Sequence, residues 1–298
     1  LNLQVSTEAF SLSQINQTNI NHIKSITMKQ MMKYTGILIL IALFTGTVIG
    51  QTSTQERSVG EFSGIHQYTS ADVFITKGDR VTVTVKADSD AIDKLKTEVK
   101  NGVLYIESEN NGWRNVRVME VHITMPTLNK VKNSGSGDFS IEGGIGGTNM
   151  HIGINGSGDM NAELDATNLE VKISGSGDVS LSGVRGDLNI SISGSGDVYA
   201  EDLQIDECNL SGSGSGDLKL KGKAAQLDAR IFGSGDINAY GLTAVNVRVK
   251  CNGSGDVVVK VVDRLEAVIN GSGDITYYGS PEFVDVESNG SGEVYRKN

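Results

Sequence analysis

From about residue 127 onward, apolar residues fall on every second position for long stretches, and a recurring tetrad holds them in phase. Residues 169–181, LEVKISGSGDVSL, show the pattern. The tetrads begin at Gly135, Gly156, Gly175, Gly194, Gly214, Gly233, Gly253, Gly271 and Gly290, at spacings of 21, 19, 19, 20, 19, 20, 18 and 19 residues. Eight read Gly-Ser-Gly-Asp and the last reads Gly-Ser-Gly-Glu. Counted from the first Gly, positions −6, −4 and −2 hold Leu188, Ile190 and Ile192 in one repeat and Val247, Val249 and Cys251 in another. Positions +4 and +6 hold Val179 and Leu181, or Ile237 and Ala239. Strict alternation is the period of a strand with one buried face. The parity runs through the tetrad, so both glycines point inward while Ser176 and Asp178 point outward.

An isolated Gly-Ser run behaves as flexible coil, but a run returning in fixed phase marks a bend. Glycine suits a position where the wall turns, little room is left for a Cβ, and turn dihedrals must be tolerated. The rest of each repeat, such as Gly183-Val184-Arg185-Gly186-Asp187, is polar and turn-rich and is expected to close the coil. One 19-residue turn cannot bury its own apolar face, whereas stacked turns can. The prediction is an all-β fold, a parallel β-helix (solenoid) of about nine turns over 127–298. At roughly 4.8 Å per turn it is on the order of 43 Å long. No 3.6-residue period appears, which excludes helical repeats.

Residues 51–126 lack the tetrad but are strand-rich, and are expected to continue the sheets and cap the first turn. Residues 73–76 and 80–86, joined by Lys77-Gly78-Asp79, read as a hairpin. Residues 87–99 read as holding a short helix opened by Asp88 or Ser89. Asn101-Gly102 is a strong hairpin signal, and residues 116–125 alternate. The two cysteines sit at −6 (Cys208) and −2 (Cys251), two turns apart and both inward. That separation, roughly 9–10 Å, exceeds disulfide reach, so two free buried thiols are expected.

The beginning of the chain reads differently. Residues 1–27 precede the first Met, show no sustained periodicity, and are expected to be a non-native upstream extension. Residues 28–50 have the form of a signal peptide: Lys29 and Lys33, an apolar run over 36–49, and small residues before a cut after Gly50. The run is shorter than the roughly 20 residues of a spanning helix, and no later segment is apolar enough to span. Residues 1–50 carry a net +2 (Lys24, Lys29 and Lys33 against Glu8), which leaves −12 for 51–298 out of the chain's −10. An acidic exported chain without a Lys/Arg cluster is a poor binder of nucleic acid.

Several segments together resemble one family. FSGIHQYTSADVFITKGD (62–79), VKNGVLYIES (99–108), VHITMPTLNKVKNSGSGDFSIEG (121–143) and the repeated SGSGDV are similar to the family described as putative autotransporter adhesin, head GIN domain. The resemblance covers nearly all of 57–298. It implies a right-handed β-helix-like fold, export from a Gram-negative cell and an adhesin role, and it supplies no catalytic residues. A self-anchored trimeric autotransporter would add a C-terminal membrane anchor, and here VYRKN follows the last repeat directly, so self-anchoring is not expected.

The most conspicuous candidate chemistry is the acidic column Asp138, Asp159, Asp178, Asp197, Asp217, Asp236, Asp256, Asp274 and Glu293. Stacked one turn apart, neighbouring carboxylates repel by roughly 0.9 kcal/mol in water before screening. Two readings offset that cost. Each Asp caps backbone N–H groups within its own bend as an Asx-turn, or Ca²⁺ bridges neighbouring carboxylates from Asp159 to Asp274. The known nine-residue calcium repeat has different spacing, so turn capping is the primary reading and no cofactor is expected. Ser176, Ser195 and their equivalents form a second outward column, either a contact surface for glycan or protein or a solvated wall. Trp113, the only Trp, is the candidate contact aromatic, with packing against the cap as its alternative. Arg185-Gly186-Asp187 spells a tripeptide that some receptors read, in a loop where Gly and Asp are expected anyway. His66, His122 and His151 share no metal-ligand spacing. No nucleophile elbow, phosphate-binding loop or dinucleotide fingerprint occurs. A solenoid enzyme acting on polysaccharide needs a cleft built from long loops, and this spacing leaves no long insertion. The expected function is a non-enzymatic binding or scaffold protein contacting glycan or protein at the cell envelope, with a carbohydrate-active enzyme and a purely structural envelope protein as alternatives.

Overall fold

The computed structural model describes residues 52–109 and 116–298. The signal-peptide segment, the upstream extension and Trp113 lie outside the described residues. The first part holds β1 (Thr52–Arg57), β2 (Gly64–Gln67), β3 (Asp72–Lys77), β4 (Thr82–Asp88), β5 (Leu95–Lys100), β6 (Val103–Ser108) and β7 (Met119–Met125). The repeats follow with β8 (Lys130–Asn133), β9 (Phe139–Ile145), β10 (Asn149–Ile154), β11 (Met160–Ala166), β12 (Asn168–Ile173), β13 (Val179–Val184) and β14 (Leu188–Ile192). Then come β15 (Val198–Gly212), β16 (Leu218–Ile231), β17 (Ile237–Cys251), β18 (Val257–Ile269), β19 (Ile275–Tyr278), β20 (Phe283–Ser288) and β21 (Val294–Lys297).

Two parallel walls result. Residues before each tetrad stack in the order β8, β10, β12, β14, then β15 to β18, then β20. Residues after each tetrad stack as β9, β11, β13, then β15 to β18, then β19 and β21. Nine rungs match nine tetrads, the parallel β-solenoid that the period predicts. In register, Leu169 faces Leu188, Val171 faces Ile190 and Ile173 faces Ile192. These side chains are at most 2 % exposed, so each inward column is a continuous apolar stack. In the last rung Val284 and Val286 keep the inward parity but are 42 % and 45 % exposed, since only β18 flanks β20 among the described residues.

The parallel stack also runs below residue 127, in an order the chain does not follow. β2 lies between β6 and β8, parallel to both, and β3 lies between β7 and β9, parallel to both. The chain lays one rung, drops beneath it, and returns above. β4 pairs antiparallel with β7, β1 with β4, and β5 with β6, which turns the lower end of both walls antiparallel. Thus β3 and β4 do not form the hairpin expected for residues 73–86: both edges of β3 are taken by parallel partners, and β4 meets β7 instead. The expected helix over 87–99 reduces to one 3₁₀ turn, Ile92–Lys94. Leu95, Thr97 and Val99 alternate, and pairing with β6 through the Asn101-Gly102 turn (φ +52° and +73°) overrides the local helical tendency.

The return segments are more apolar than expected. Ile145, Leu164, Val184, Leu203, Leu242 and Val261 point inward from the return segments, each no more than 4 % exposed, in a line broken by register shifts and by Gly222. In β15 to β18 the return is strand, interrupted by register shifts rather than by a loop. Single apolar residues inside polar runs such as GVRGD and EDLQI carry this line, too sparse for a periodic pattern to reveal.

The tetrad glycines are required for a reason more specific than bending. None of them has a positive φ. A Cβ on Gly175 would lie 2.0 Å from the carbonyl oxygen of Gly156, and one on Gly177 2.1 Å from that of Gly158. The obstacle is the same bend one turn away, which is backbone and cannot rotate aside. Gly212, inward in β15, has no atom within 4 Å of a Cβ. Gly177→Ala is expected to destabilise by about 1–3 kcal/mol or more, and Gly212→Ala to be neutral or to stabilise by about 0.5–1 kcal/mol. Urea melts of the two variants check the contrast, which equal midpoints would contradict.

Both cysteines are free and buried, as their register implies. Burial pushes the Cys208 thiol up to about 12, and burial is also the main cause of the upward shift at Cys251. Thiol titration at pH 8 is expected to find neither sulfur reactive in the native protein and both reactive after denaturation.

Candidate functional site

The outward face of the tetrad bend is the most repeated surface of the molecule. At each bend the peptide N–H of the acidic residue is not taken by a backbone carbonyl. The Oδ1 of the acid one turn below accepts it instead. The ladder runs from Asp72 to Asp138, through Asp159, Asp178, Asp197, Asp217, Asp236, Asp256 and Asp274, to the N–H of Glu293, at 2.7–3.0 Å throughout. The next residue's N–H then donates to the following turn, as Val179 does to the Asp197 carbonyl at 2.8 Å. The Asx-turn expectation is therefore corrected: each carboxylate caps its neighbour's bend, not its own. An N–H bond to a carboxylate contributes about 1.5–3 kcal/mol, more than the roughly 0.9 kcal/mol of repulsion between successive acids. The column is self-supporting electrostatically.

Asp72 was not legible as part of this column because its tetrad reads Thr69-Ser70-Ala71-Asp72. Aligning TSADVFI with GSGDFSI would have found it. Just before it, Gln67 takes the −2 place that Asn133 holds in the next rung. Both are fully buried, and both donate side-chain N–H groups to tetrad carbonyls, Gln67 to Ala71 at 2.6 Å and Asn133 to Gly137 at 2.8 Å. The polar positions in these two rungs stitch the first bends together.

Ser176 and Ser195 are exposed, and their backbone N–H groups each donate to a glycine carbonyl one turn below at 3.0 Å. Beside them a shallow trough is lined by Asp72, Phe74, Asp138, Asp159, Asn161 and Asp178. No group of three or more His, Cys, Asp or Glu suited to hold a metal ion occurs among the described residues. In the column one oxygen of each Asp from Asp159 to Asp274 is committed to a backbone N–H. Asn side chains form further ladders, with Asn270 donating to Asn252 at 2.8 Å and Asn289 to Asn270 at 3.2 Å.

The histidines are apart. His122 bonds Glu120 at 2.8 Å, and this bond is the chief reason the Glu120 carboxyl lies below its usual range. His151 bonds Glu170 at 2.7 Å. Arg185 of the RGD tripeptide is tied to Asp202 at 3.2 Å, and Gly186 is buried against Thr167.

These features define a class: a parallel β-solenoid whose tetrad bends stack in columns. The family model for "Putative auto-transporter adhesin, head GIN domain" matches residues 61–218 and 209–281. The chain belongs to that family. No curated protein matches it. Among solved structures, a putative adhesin from Parabacteroides merdae is 24% identical, with a TM-score of 0.64 over 84% of this chain and 98% of that one. A putative lipid binding protein from Parabacteroides distasonis is also 24% identical over the same shares, with a TM-score of 0.61. A putative adhesin from Parabacteroides distasonis is 23% identical over the same shares, with a TM-score of 0.58. At these identities the likeness is one of fold.

Asp178→Ala removes the acceptor for the Asp197 N–H and is expected to cost about 1–2 kcal/mol, whereas Asp178→Asn keeps an acceptor and should stay within about 0.5 kcal/mol of the parent. Denaturation midpoints separate the two, and equal losses would rule out the ladder as a stabilising element.

Proposed function

We propose that this chain is an exported, non-catalytic binding protein of the cell envelope whose rigid walls contact glycan or protein. The observation that carries the reading is the shape of the walls. Rungs succeed one another in register without a long inserted loop from β8 to β21, so the outer faces are continuous surfaces of polar and charged side chains with exposed aromatics such as Phe232 and Tyr240. The hydrolytic alternative needs opposed carboxylates held in a cleft. The acids of the tetrad column cap bends, and others pair with nearby cations, as Glu266 does with Arg248 and Arg264, both at 2.9 Å. The adhesin description of the family supports the binding role. The lipid-binding name belongs to a relative, and the inward columns of this chain are filled with Val, Leu, Ile and Ala.

Fractionation of the native cell, together with glycan-array and cell-binding assays on the purified protein, tests the reading. Surface or extracellular location with saturable binding is expected. Retention in the periplasm with no binding would favour the structural alternative, and turnover of a polysaccharide panel at high protein loading would favour the enzymatic one.

A further inference from the structure

Several outward cations of this acidic molecule sit beside a carboxylate. Lys86, Lys96, Lys100, Lys172 and Lys221 each have one within 4 Å. Lys130 and Lys132 on β8, like Lys219, Lys250 and Lys260, do not, among the described residues. Lys130 and Lys132 stand beside a small aromatic platform assembled by the out-of-order rung. In one row across the wall, Tyr105, His66 and Lys132 are successive neighbours in register. Tyr68, at the end of β2 and 49 % exposed, leans on His66 with ring centroids 3.9 Å apart, and the Tyr105 ring lies 5.8 Å from His66 on the other side.

The platform is fixed rather than loose. His66 Nδ1 bonds the Tyr68 hydroxyl at 2.9 Å and its Nε2 bonds the Ser134 hydroxyl at 3.0 Å, so both ring nitrogens are held. Burial, then the charges of Lys132 and Lys130, lower the His66 pKa to about 4, which leaves the imidazole neutral at pH 7. Glycines flank the lysines: Gly64 is the register neighbour of Lys130, and Gly153 that of Lys132. A Cβ on Gly153 would meet only Lys132 Cγ at 3.7 Å, so bare backbone lies beside that side chain, whereas the Gly64 place is closed by the Val103 side chain at 3.1 Å. The nearby acids are Glu98, already paired with Lys100, Glu107, near Tyr68, and Glu170, one strand beyond β10 and held by His151 and Lys172.

We propose that His66, Tyr68, Tyr105, Lys130 and Lys132 form a binding subsite for an acidic polysaccharide, one whose sugars carry carboxylate or sulfate groups. The chemistry divides between the two halves of the site. Aromatic faces pack against the apolar C–H face of a pyranose ring, and the Tyr68 and Ser134 hydroxyls offer donors and acceptors to its hydroxyls. Lys130 and Lys132 meet the anionic substituent, with no carboxylate of the protein to displace. The flat sheet suits an extended chain running across rungs. This proposal deepens the envelope-binding reading and rests on it.

The test is titration calorimetry of the purified protein with polygalacturonate, dextran sulfate and neutral dextran, at low and physiological salt. Binding of at least one acidic polymer, weakened by salt, and none of neutral dextran is expected. Lys130→Gln/Lys132→Gln should lose about tenfold in affinity, and Tyr68→Ala about fivefold, both with an unchanged melting temperature. Lys219→Gln/Lys250→Gln, on other rungs, should bind as the parent does. The proposal is overturned if neither acidic polymer binds, if the platform variants bind as well as the parent, or if vesicles of phosphatidylglycerol bind through these residues while the polymers do not. Glycan or cell binding that survives both platform variants would sink this site and leave the envelope-binding role standing, whereas absence of all binding would remove both.

Discussion

The structure depends on how closely two backbones approach at each bend. A tetrad glycine sits so near the carbonyl of its counterpart one turn below that a single methyl group would overlap it, at 1.8–2.1 Å from Gly156 through Gly292. Neighbouring strands in any sheet lie about 4.8 Å apart, and a corner that keeps this spacing while turning must bring main chain against main chain. Only a residue without a Cβ allows it. The tetrad therefore sets the stack height, and the stack height sets everything mounted on it: the apolar columns inside, the acidic ladder outside and the flatness of the walls between.

Once the height is fixed, the acids follow from hydrogen-bond accounting. The bend turns one peptide N–H per rung away from the carbonyl that would otherwise take it, and at nine successive corners a carboxylate accepts that N–H in place of water. An Asp at the fourth place of the preceding tetrad reaches it. The column of like charges is thus a by-product of a capping solution repeated along the axis, in which the bond outweighs the repulsion at each step. Glu293 ends the column by donating its N–H to Asp274, while its own carboxylate bonds Tyr295.

Much of this was legible in the sequence, and the limit has a physical boundary. Alternation and period come from burial repeated along the axis, so the nine rungs, the inward cysteines and the outward Ser and Asp could be counted directly. Alternation says nothing about which strands are neighbours. The chain from β2 to β9 looks locally like a hairpin, a helix and another hairpin, yet β2 and β3 are held between strands that follow much later. The only local trace is Thr69-Ser70-Ala71-Asp72, a tetrad whose two glycines have become Thr and Ala. Hydrogen-bond partners were equally hidden: an Asp that caps its own turn and one that caps the next have the same spacing.

That same rung is where the walls stop being uniform. Along the repeats the tetrad columns are built from Ser and Asp, which corners and ladder require, whereas the −5 and −3 columns carry longer side chains such as Glu170, Lys172, Arg230 and Arg248. On the inserted rung the −3 and −1 places hold His66 and Tyr68, and the next rung sets Lys130 and Lys132 beside them at −5 and −3. A stack whose tetrad columns are committed to holding it together has little freedom to vary chemistry in them without breaking a ladder. The proposed subsite lies on a rung that departs from the tetrad pattern, where side chains are not tied into the acidic ladder. This placement is the reverse of a cleft enzyme, in which loops inserted along the middle of the stack carry the chemistry.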